Sequence, residues 1–191
     1  MLLAAGEGSR FGRPKALVEW DGQTLAERGV RMLLAGGADP VLLVTGAVPI
    51  DLAAERRVLF VHNEQWRTGM GSSLRAALLA MPQDADAAVV ALADQPLVGP
   101  EAVARLIAAG QAGAGVAVAA DEGQPRNPVL LAREHWPEVI ALAAGDQGAR
   151  AFLRARPDLV TLVECGDISR PDDIDTPADL DRIAGRQPPG V

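Results

Sequence analysis

Residues 2–15, Leu-Leu-Ala-Ala-Gly-Glu-Gly-Ser-Arg-Phe-Gly-Arg-Pro-Lys, run from a short apolar segment into a glycine-rich turn with three cations. The glycines at positions 6, 8 and 12 let the backbone bend through positive φ and bring N–H groups close to an anion. Arg10, Arg13 and Lys15 supply the countercharge. Residues 6–15, here called the glycine loop, therefore have the composition of a polyphosphate site. A purely structural strand-to-helix turn with solvated basic residues is the alternative.

The spacing of these glycines excludes two common nucleotide-binding loops. Gly8 and Gly12 are separated by three residues, whereas the dinucleotide turn G-x-G-x-x-G requires two. Gly6 has no glycine five positions later, as the P-loop requires. A different kind of nucleotide loop is therefore expected.

Composition limits the class of protein. A chain of 191 residues, 49% of them hydrophobic, suits one globular domain, which we assign to residues 1–184 with a flexible tail at 185–191. The net charge of -7 opposes general binding to nucleic acid or to an anionic membrane. No apolar run approaches the roughly 20 residues of a membrane span, so a cytoplasmic protein is expected. One cysteine excludes an internal disulfide, and two histidines exclude a zinc cluster, so oxygen atoms must hold any metal.

Short apolar runs alternate with helix-period segments along the chain, which predicts an α/β fold with a mostly parallel sheet. The predicted strands are 2–5, 41–45, 58–61, 88–92, 116–119, 129–131 and 159–163. The predicted helices are 24–35, a segment capped by Ser72 or Ser73 and stopped by Pro82, 100–109, 133–143, 148–155 and 177–184.

Acidic residues stand where such a sheet would bind a ligand. Asp94 follows the predicted strand 88–92, and ligands of open parallel sheets lie beyond the carboxyl ends of the strands. A carboxylate there suits Mg²⁺, although a turn-forming aspartate is the alternative. Asp172, Asp173 and Asp175 precede the last predicted helix, and helix capping explains one residue of this segment. The cluster is either a solvated turn or a second metal contact. In the second case the chain would carry a site for metal-assisted phosphoryl or nucleotidyl transfer.

Several motifs together resemble the molybdenum cofactor cytidylyltransferase group of the MobA-like NTP transferases, within the GT-A-like nucleotidyltransferases. The resemblance covers nearly the whole chain and depends on the order of the motifs more than on any one of them. The motifs are Leu3-Ala4-Ala5-Gly6 with Ser9-Arg10, Gly12 and Lys15; Asn63 with Trp66, Gly69-Met70 and Ser72-Ser73-Leu74; Asp94-Gln95-Pro96; 145–150; and 173–177 with Asp179-Leu180.

The resemblance implies a single-domain, three-layer Rossmann-like fold that binds a nucleoside triphosphate. It makes Arg10, Lys15 and Asp94 the catalytic residues, with Mg²⁺ held by Asp94 and by Asp175, or by Asp173 in its place. Ala5 and Gln95 favour CTP over GTP. The implied nucleotide contacts are Leu3, Ala4, Ala5, Gly6, Gly8, Ser9, Ser72 and Ser73.

The implied reaction transfers CMP from CTP to a phosphorylated pterin, molybdopterin or its metal-loaded form, with release of pyrophosphate. Gln95, Asn127 and Arg150 are the expected acceptor contacts. Where the family usually has Gly-His-Pro, this chain has 126–128 as Arg-Asn-Pro, which leaves the acceptor open. GTP, another phosphorylated acceptor, or a catalytically silent nucleotide-binding regulator stay as alternatives. The partner class would be a molybdoenzyme or a maturation factor. Because the first strand has hardly any lead-in, either a lost N-terminal segment or a misplaced start is a further expectation.

Overall fold

A seven-stranded sheet lies at the centre of the computed structural model, which describes residues 1–52, 55–170 and 172–183. The strands of this sheet and of a separate ribbon formed by β2 and β3 are, in chain order, β1 (Leu2–Leu3), β2 (Glu19–Trp20), β3 (Gln23–Thr24), β4 (Val41–Thr45), β5 (Val58–His62), β6 (Ala87–Leu92), β7 (Val116–Asp121), β8 (Gln124–Ala132) and β9 (Val160–Glu164). The sheet order is β5-β4-β1-β6-β8-β7-β9, and β8 alone of these strands runs antiparallel to its neighbours. The predicted mostly parallel sheet is confirmed.

Helices cover both faces of the sheet. They are α1 (Leu25–Ala35), α2 (Met70–Leu79), α3 (Pro100–Gln111), α4 (Trp136–Leu142), α5 (Arg150–Ala155) and α6 (Pro177–Ile183). Successive strand side chains point to opposite faces: Leu2 packs with the buried side chains of α1 and α3, whereas Leu3 packs with those of α2, α4 and α5. Because both faces are buried, the strands are almost continuously apolar. The result is the predicted three-layer α/β architecture.

Local capping explains where α1 begins. The Thr24 hydroxyl accepts the backbone N–H of Glu27 at 3.2 Å, and the Glu27 carboxylate accepts the backbone N–H of Thr24 at 2.7 Å. This reciprocal pair satisfies two N–H groups that a helix start leaves unpaired. The predicted start at Thr24 is confirmed.

The structure corrects several predicted boundaries. Neither Ser72 nor Ser73 caps α2, since the helix begins at Met70 after Gly69, whose φ of 105° provides the entry turn. The small antiparallel ribbon of β2 and β3 was not predicted, because two-residue strands leave no periodicity to read. Residues Arg133–His135 form a 3-10 turn, so α4 begins at Trp136 and not at the predicted position 133. Helix α5 begins at Arg150 and not at the predicted position 148. The predicted tail at 185–191 and the end of the last helix at 184 lie outside the described residues.

The topology brings distant segments to one edge of the sheet. Strands β1 and β6 are parallel neighbours, with Leu3 opposite Leu92, so the segments that follow them leave the sheet side by side. The glycine loop follows β1 and Asp94 follows β6. Within the described ranges, no helix is long and apolar enough to cross a membrane.

Candidate active site

The glycine loop folds back on itself around one residue. The Gly8 carbonyl accepts backbone N–H groups of Phe11 and Gly12, both at 2.9 Å. Gly8 has a φ of 66°, and a Cβ at this position would lie 2.0 Å from the Arg13 carbonyl oxygen. Only glycine fits that approach. The turn carries the chain into a 3-10 turn at Lys15–Leu17, which sets the Lys15 side chain toward the sheet edge.

A buried isoleucine brings the late acidic segment to this edge. Ile174 is fully buried in a small apolar cluster that includes Phe11 of the glycine loop and Leu97. Its backbone N–H donates to the Asp94 carbonyl at 2.8 Å. Since Asp173 and Asp175 flank Ile174, this single anchor holds both carboxylates beside Asp94.

Lys15 joins two of these carboxylates. Its ammonium donates to Asp94 Oδ2 at 2.9 Å and to Asp175 Oδ1 at 2.5 Å, and its side chain is 19% exposed. Arg10 approaches the other Asp175 oxygen at 3.4 Å from a largely exposed position. Burial lowers the pKa of the Lys15 ammonium, but attraction by Asp94 and hydrogen bonds to Asp175 and Asp94 outweigh it, so the pKa is raised overall. Lys15 is therefore fully charged at neutral pH.

Asp175 is free for this contact because another residue caps α6. The Thr176 hydroxyl accepts the backbone N–H of Asp179 at 3.3 Å, and the Asp179 carboxylate accepts the N–H groups of Asp175 and Thr176. The side chain of Thr176 therefore caps this helix. The carboxylate of Asp175 is left to face Lys15.

Two carboxylates that converge on one cation fit a divalent metal. Hard cations such as Mg²⁺ prefer carboxylate oxygens and are often held by one or two of them together with phosphate oxygens. Asp94 and Asp175 are the residues that would hold the ion. Across the described part of the chain, no group of three or more His, Cys, Asp or Glu side chains is arranged to hold a metal, so an ion here would complete its coordination with water or substrate oxygens.

Gln95 and Asp173 form a second polar pair at this edge. The Gln95 amide nitrogen donates to Asp173 Oδ1 at 2.7 Å, while Gln95 Oε1 is buried without a hydrogen-bond partner. Desolvation of its carboxyl group raises the pKa of Asp173, although the residue as a whole is exposed, and nearby Asp94 and Asp175 add to that rise. Asp173 therefore faces Gln95, whereas Asp175 faces Lys15.

Two adjoining cavities meet at the sheet edge. The smaller, of about 230 Å³, lies against the glycine loop, and the larger, of about 950 Å³, extends toward α5. Leu3, Met70 and Leu92 line both and form the wall between them. Among the predicted nucleotide and catalytic residues, the smaller cavity is lined by Leu3, Ala4, Ala5, Gly6, Gly8, Lys15, Ser73 and Asp94.

The larger cavity contains the predicted acceptor residues. Gln95, Asn127 and Arg150 all line it, on an otherwise largely apolar wall. Three more arginines, Arg126, Arg154 and Arg170, line the same cavity. Arg154 donates to the side chain of Gln147. Three aspartates, Asp121, Asp172 and Asp173, line it too, so the cavity joins apolar surface to a mixed set of charges in which arginines outnumber aspartates by four to three.

Three predicted nucleotide or catalytic residues do not line either cavity. Ser9 and Arg10 lie on the exposed side of the glycine loop. Ser72 is held in place by a buried residue. The Asn63 amide donates to Ser72 Oγ at 2.8 Å and to Ser73 Oγ at 3.0 Å. Asn63 thereby ties the strand β5 end to the first turn of α2.

The family is decided by a comparison over most of the chain. The profile of the MobA-like NTP transferase domain matches residues 1–160. The chain belongs to the MobA-like NTP transferase family. It is similar to nicotine blue oxidoreductase of Paenarthrobacter nicotinovorans, with 36% identity over 193 aligned residues, 96% of this chain and 94% of that protein.

The chain is also similar to other proteins and solved structures. A probable molybdenum cofactor guanylyltransferase of Opitutus terrae is 40% identical over 79 residues, 41% of this chain and 38% of that protein. The crystal structure of Rv0371c from Mycobacterium tuberculosis H37Rv superposes with a TM-score of 0.82 at 26% identity, over 96% of this chain and 95% of that one. A second structure of Rv0371c, described as a complex with manganese, has a TM-score of 0.76 at 24% identity, over 97% and 96% of the two chains.

Some site residues of this MobA-like NTP transferase could not be assigned from their motifs alone. Asp146 and Trp66 line the smaller cavity, although each was recognised only as part of a motif. Asp173, expected as the alternative metal ligand, holds Gln95. The composition carries one further signal. Lys15 is the only lysine in the sequence, among 18 basic residues. A lone lysine in a chain otherwise supplied with arginine marks a position where a compact ammonium is needed.

Proposed function

We propose that this protein is a Mg²⁺-dependent nucleotidyltransferase that transfers CMP from CTP to a phosphorylated pterin and releases pyrophosphate. The observation that carries the proposal is the position of Lys15, Asp94 and Asp175, which converge beside the glycine loop, with Lys15 and Asp94 lining the smaller of two adjoining cavities. The smaller cavity would take the nucleotide and the larger one the acceptor. A cytoplasmic location and a molybdoenzyme or maturation factor as partner belong to the same proposal.

Charge is the main obstacle to this reaction. Two unit negative charges about 4 Å apart repel by roughly 4 kcal/mol at an effective dielectric constant of 20, and the reactants carry several such charges. Lys15 and Arg10 lie at the loop that would face the triphosphate, so they can offset this repulsion and stabilise departing pyrophosphate. When bound, Mg²⁺ would supply further screening and Lewis-acid polarisation. A phosphate nucleophile is already ionised at neutral pH, so the site needs no strong general base.

The larger cavity supports an acceptor that is partly apolar and anionic. Arg126, Arg150 and Arg170 would hold a phosphate, because guanidinium groups match phosphate oxygens in pairs. The valine and leucine side chains of the same cavity offer surface to a flat ring system. Of the two residues that favour CTP by resemblance, Ala5 lines the smaller cavity, whereas Gln95 lines the larger one. The support for CTP therefore depends on Ala5.

A redox activity is the second candidate, favoured by the 36% identity with nicotine blue oxidoreductase over 96% of this chain. The glycine spacing of 6, 8 and 12 is not that of a dinucleotide turn, which favours nucleotidyl transfer. Two assays separate the candidates. One follows pyrophosphate release with CTP, GTP, ATP or UTP and a phosphorylated pterin, and the other follows reduction of nicotine blue with NADH or NADPH.

Asp94→Asn provides the decisive variant. We expect it to lower Mg²⁺-dependent pyrophosphate release by about a hundredfold or more, because an amide cannot balance the charge of the ion. Asp84→Asn is the matched control, since exposed Asp84 precedes the opposite end of the same strand β6. Near-normal turnover in folded Asp94→Asn, or dye reduction without any pyrophosphate release in the wild type, would refute the proposal.

A further inference from the structure

Lys15 bridges two carboxylates without any bound ion. Its ammonium and the guanidinium of Arg10 face the carboxylates of Asp94 and Asp175, and Asp173, which pairs with Gln95, is a third carboxylate near them. Lys15 makes the two close contacts, at 2.9 and 2.5 Å, and its side chain is four-fifths buried. The pair of carboxylates that fits a divalent ion is thus already bridged by a side chain.

A divalent ion that bridges the two carboxylates competes with the Lys15 ammonium. Lys15 already occupies Asp94 Oδ2 and Asp175 Oδ1, and a dication placed on the remaining oxygens would lie close to the ammonium and be repelled by it. An incoming dication neutralises the two carboxylates by itself. The exchange would leave the charge of Lys15 unpaired at the edge of the smaller cavity, which Lys15 already lines.

We propose that Lys15 is an internal counterion that holds Asp94 and Asp175 together until a divalent ion displaces it, and that the displaced ammonium then pairs with nucleotide phosphate. This inference rests on the proposed function and adds a regulation to it. Metal and nucleotide would favour each other's binding, because the nucleotide phosphates pair with the Lys15 ammonium that the metal displaces from the carboxylates. Metal alone would bind weakly, which protects the site from ions that arrive without substrate.

The inference predicts an unusual pair of effects for one substitution. Lys15→Met removes the competing charge and should bind Mn²⁺, without nucleotide, about tenfold more tightly than the wild type. The same variant should lose pyrophosphate release, because the cation for the triphosphate is gone. Arg13→Met is the matched control: it removes a charge from the same loop, but the Arg13 guanidinium lies over the Phe11 ring at 5.8 Å from its centroid. Its Mn²⁺ affinity should change by about twofold or less.

The experiment measures free Mn²⁺ by electron paramagnetic resonance at fixed pH and ionic strength. If Lys15→Met is unstable, Lys15→Gln is measured in its place. Tighter binding by either Lys15 variant supports the inference, and equal or weaker binding by both overturns it. If wild type and variants bind no Mn²⁺ even with CTP, the proposed function fails as well, so the two failures are distinguishable.

A second measurement uses the unmodified protein. Because Lys15 is the only lysine, ¹⁵N-lysine labelling gives a single side-chain ammonium signal. Saturating Mg²⁺ should shift this signal and speed its exchange with water as the ammonium leaves the carboxylates. An unchanged signal at saturation, judged by competition with Mn²⁺, would overturn the inference.

Discussion

Gly8→Ala tests whether the glycine loop is held by the geometry described above. The new Cβ would lie 2.0 Å from the Arg13 carbonyl oxygen, whereas ordinary contacts of this kind are 3.4 Å or longer. The backbone must therefore move by more than an ångström. A left-handed φ costs a non-glycine residue about 1–2 kcal/mol, and an overpacked contact costs about 1–3 kcal/mol. We expect a loss of about 2–5 kcal/mol in the free energy of unfolding.

Gly12→Ala separates the two contributions. Gly12 also has a positive φ, 83°, but a Cβ there would meet no atom within 4 Å. Its loss should be confined to the backbone cost of about 1–2 kcal/mol. Urea denaturation measures the unfolding free energy of both variants. Titration with CTP measures the affinity of the glycine loop for nucleotide, which should be lower in Gly8→Ala. If Gly8→Ala unfolds at the same urea concentration as Gly12→Ala, the close approach to Arg13 is not a constraint and the reasoning is refuted.

Two further variants test the surroundings of the site. Asp173→Asn should raise the midpoint of thermal unfolding at pH 7, because the raised pKa of Asp173 means that its ionisation opposes folding, and an Asn oxygen can still accept from Gln95. That gain should disappear below about pH 3.8, where wild-type Asp173 is protonated in both states; a gain that persists there contradicts the assignment. Asn63→Ala removes bonds to Ser72, Ser73 and the Gln65 N–H and should cost about 2–4 kcal/mol of unfolding free energy in urea. A loss below about 0.5 kcal/mol would show that this network is not structural.

The sequence predicted the parts of the site that follow buried strands. The glycine loop comes after β1 and Asp94 after β6, and the carboxyl ends of parallel neighbours must adjoin, so their proximity follows from the fold class alone. For the acidic segment at 172–175, the residues alone left two alternatives, a solvated turn or a second metal contact, and the family resemblance favoured the second. The segment's actual anchor, the N–H of Ile174 on the Asp94 carbonyl, is a long-range bond that no local pattern reveals.

Other features depend on contacts between segments that are distant in sequence. The start of α2 at Met70 is set by the backbone of Gly69, where a Cβ would lie 2.4 Å from Gly145. The role of Asp173, to hold Gln95, could not be separated from that of Asp175, because both are aspartates beside the same apolar residue. Which carboxylate faces Lys15 is decided by the turn around Ile174.

X-ray diffraction from crystals soaked with Mn²⁺ and a non-hydrolysable CTP analogue locates the ion by its anomalous scattering. We predict one strong peak in contact with Asp94, Asp175 and phosphate oxygens, with the nucleotide along the glycine loop and the Lys15 ammonium on phosphate. An ion and a nucleotide bound elsewhere, with Lys15 still bridging Asp94 and Asp175, would contradict both the metal site and the proposed nucleotidyl transfer.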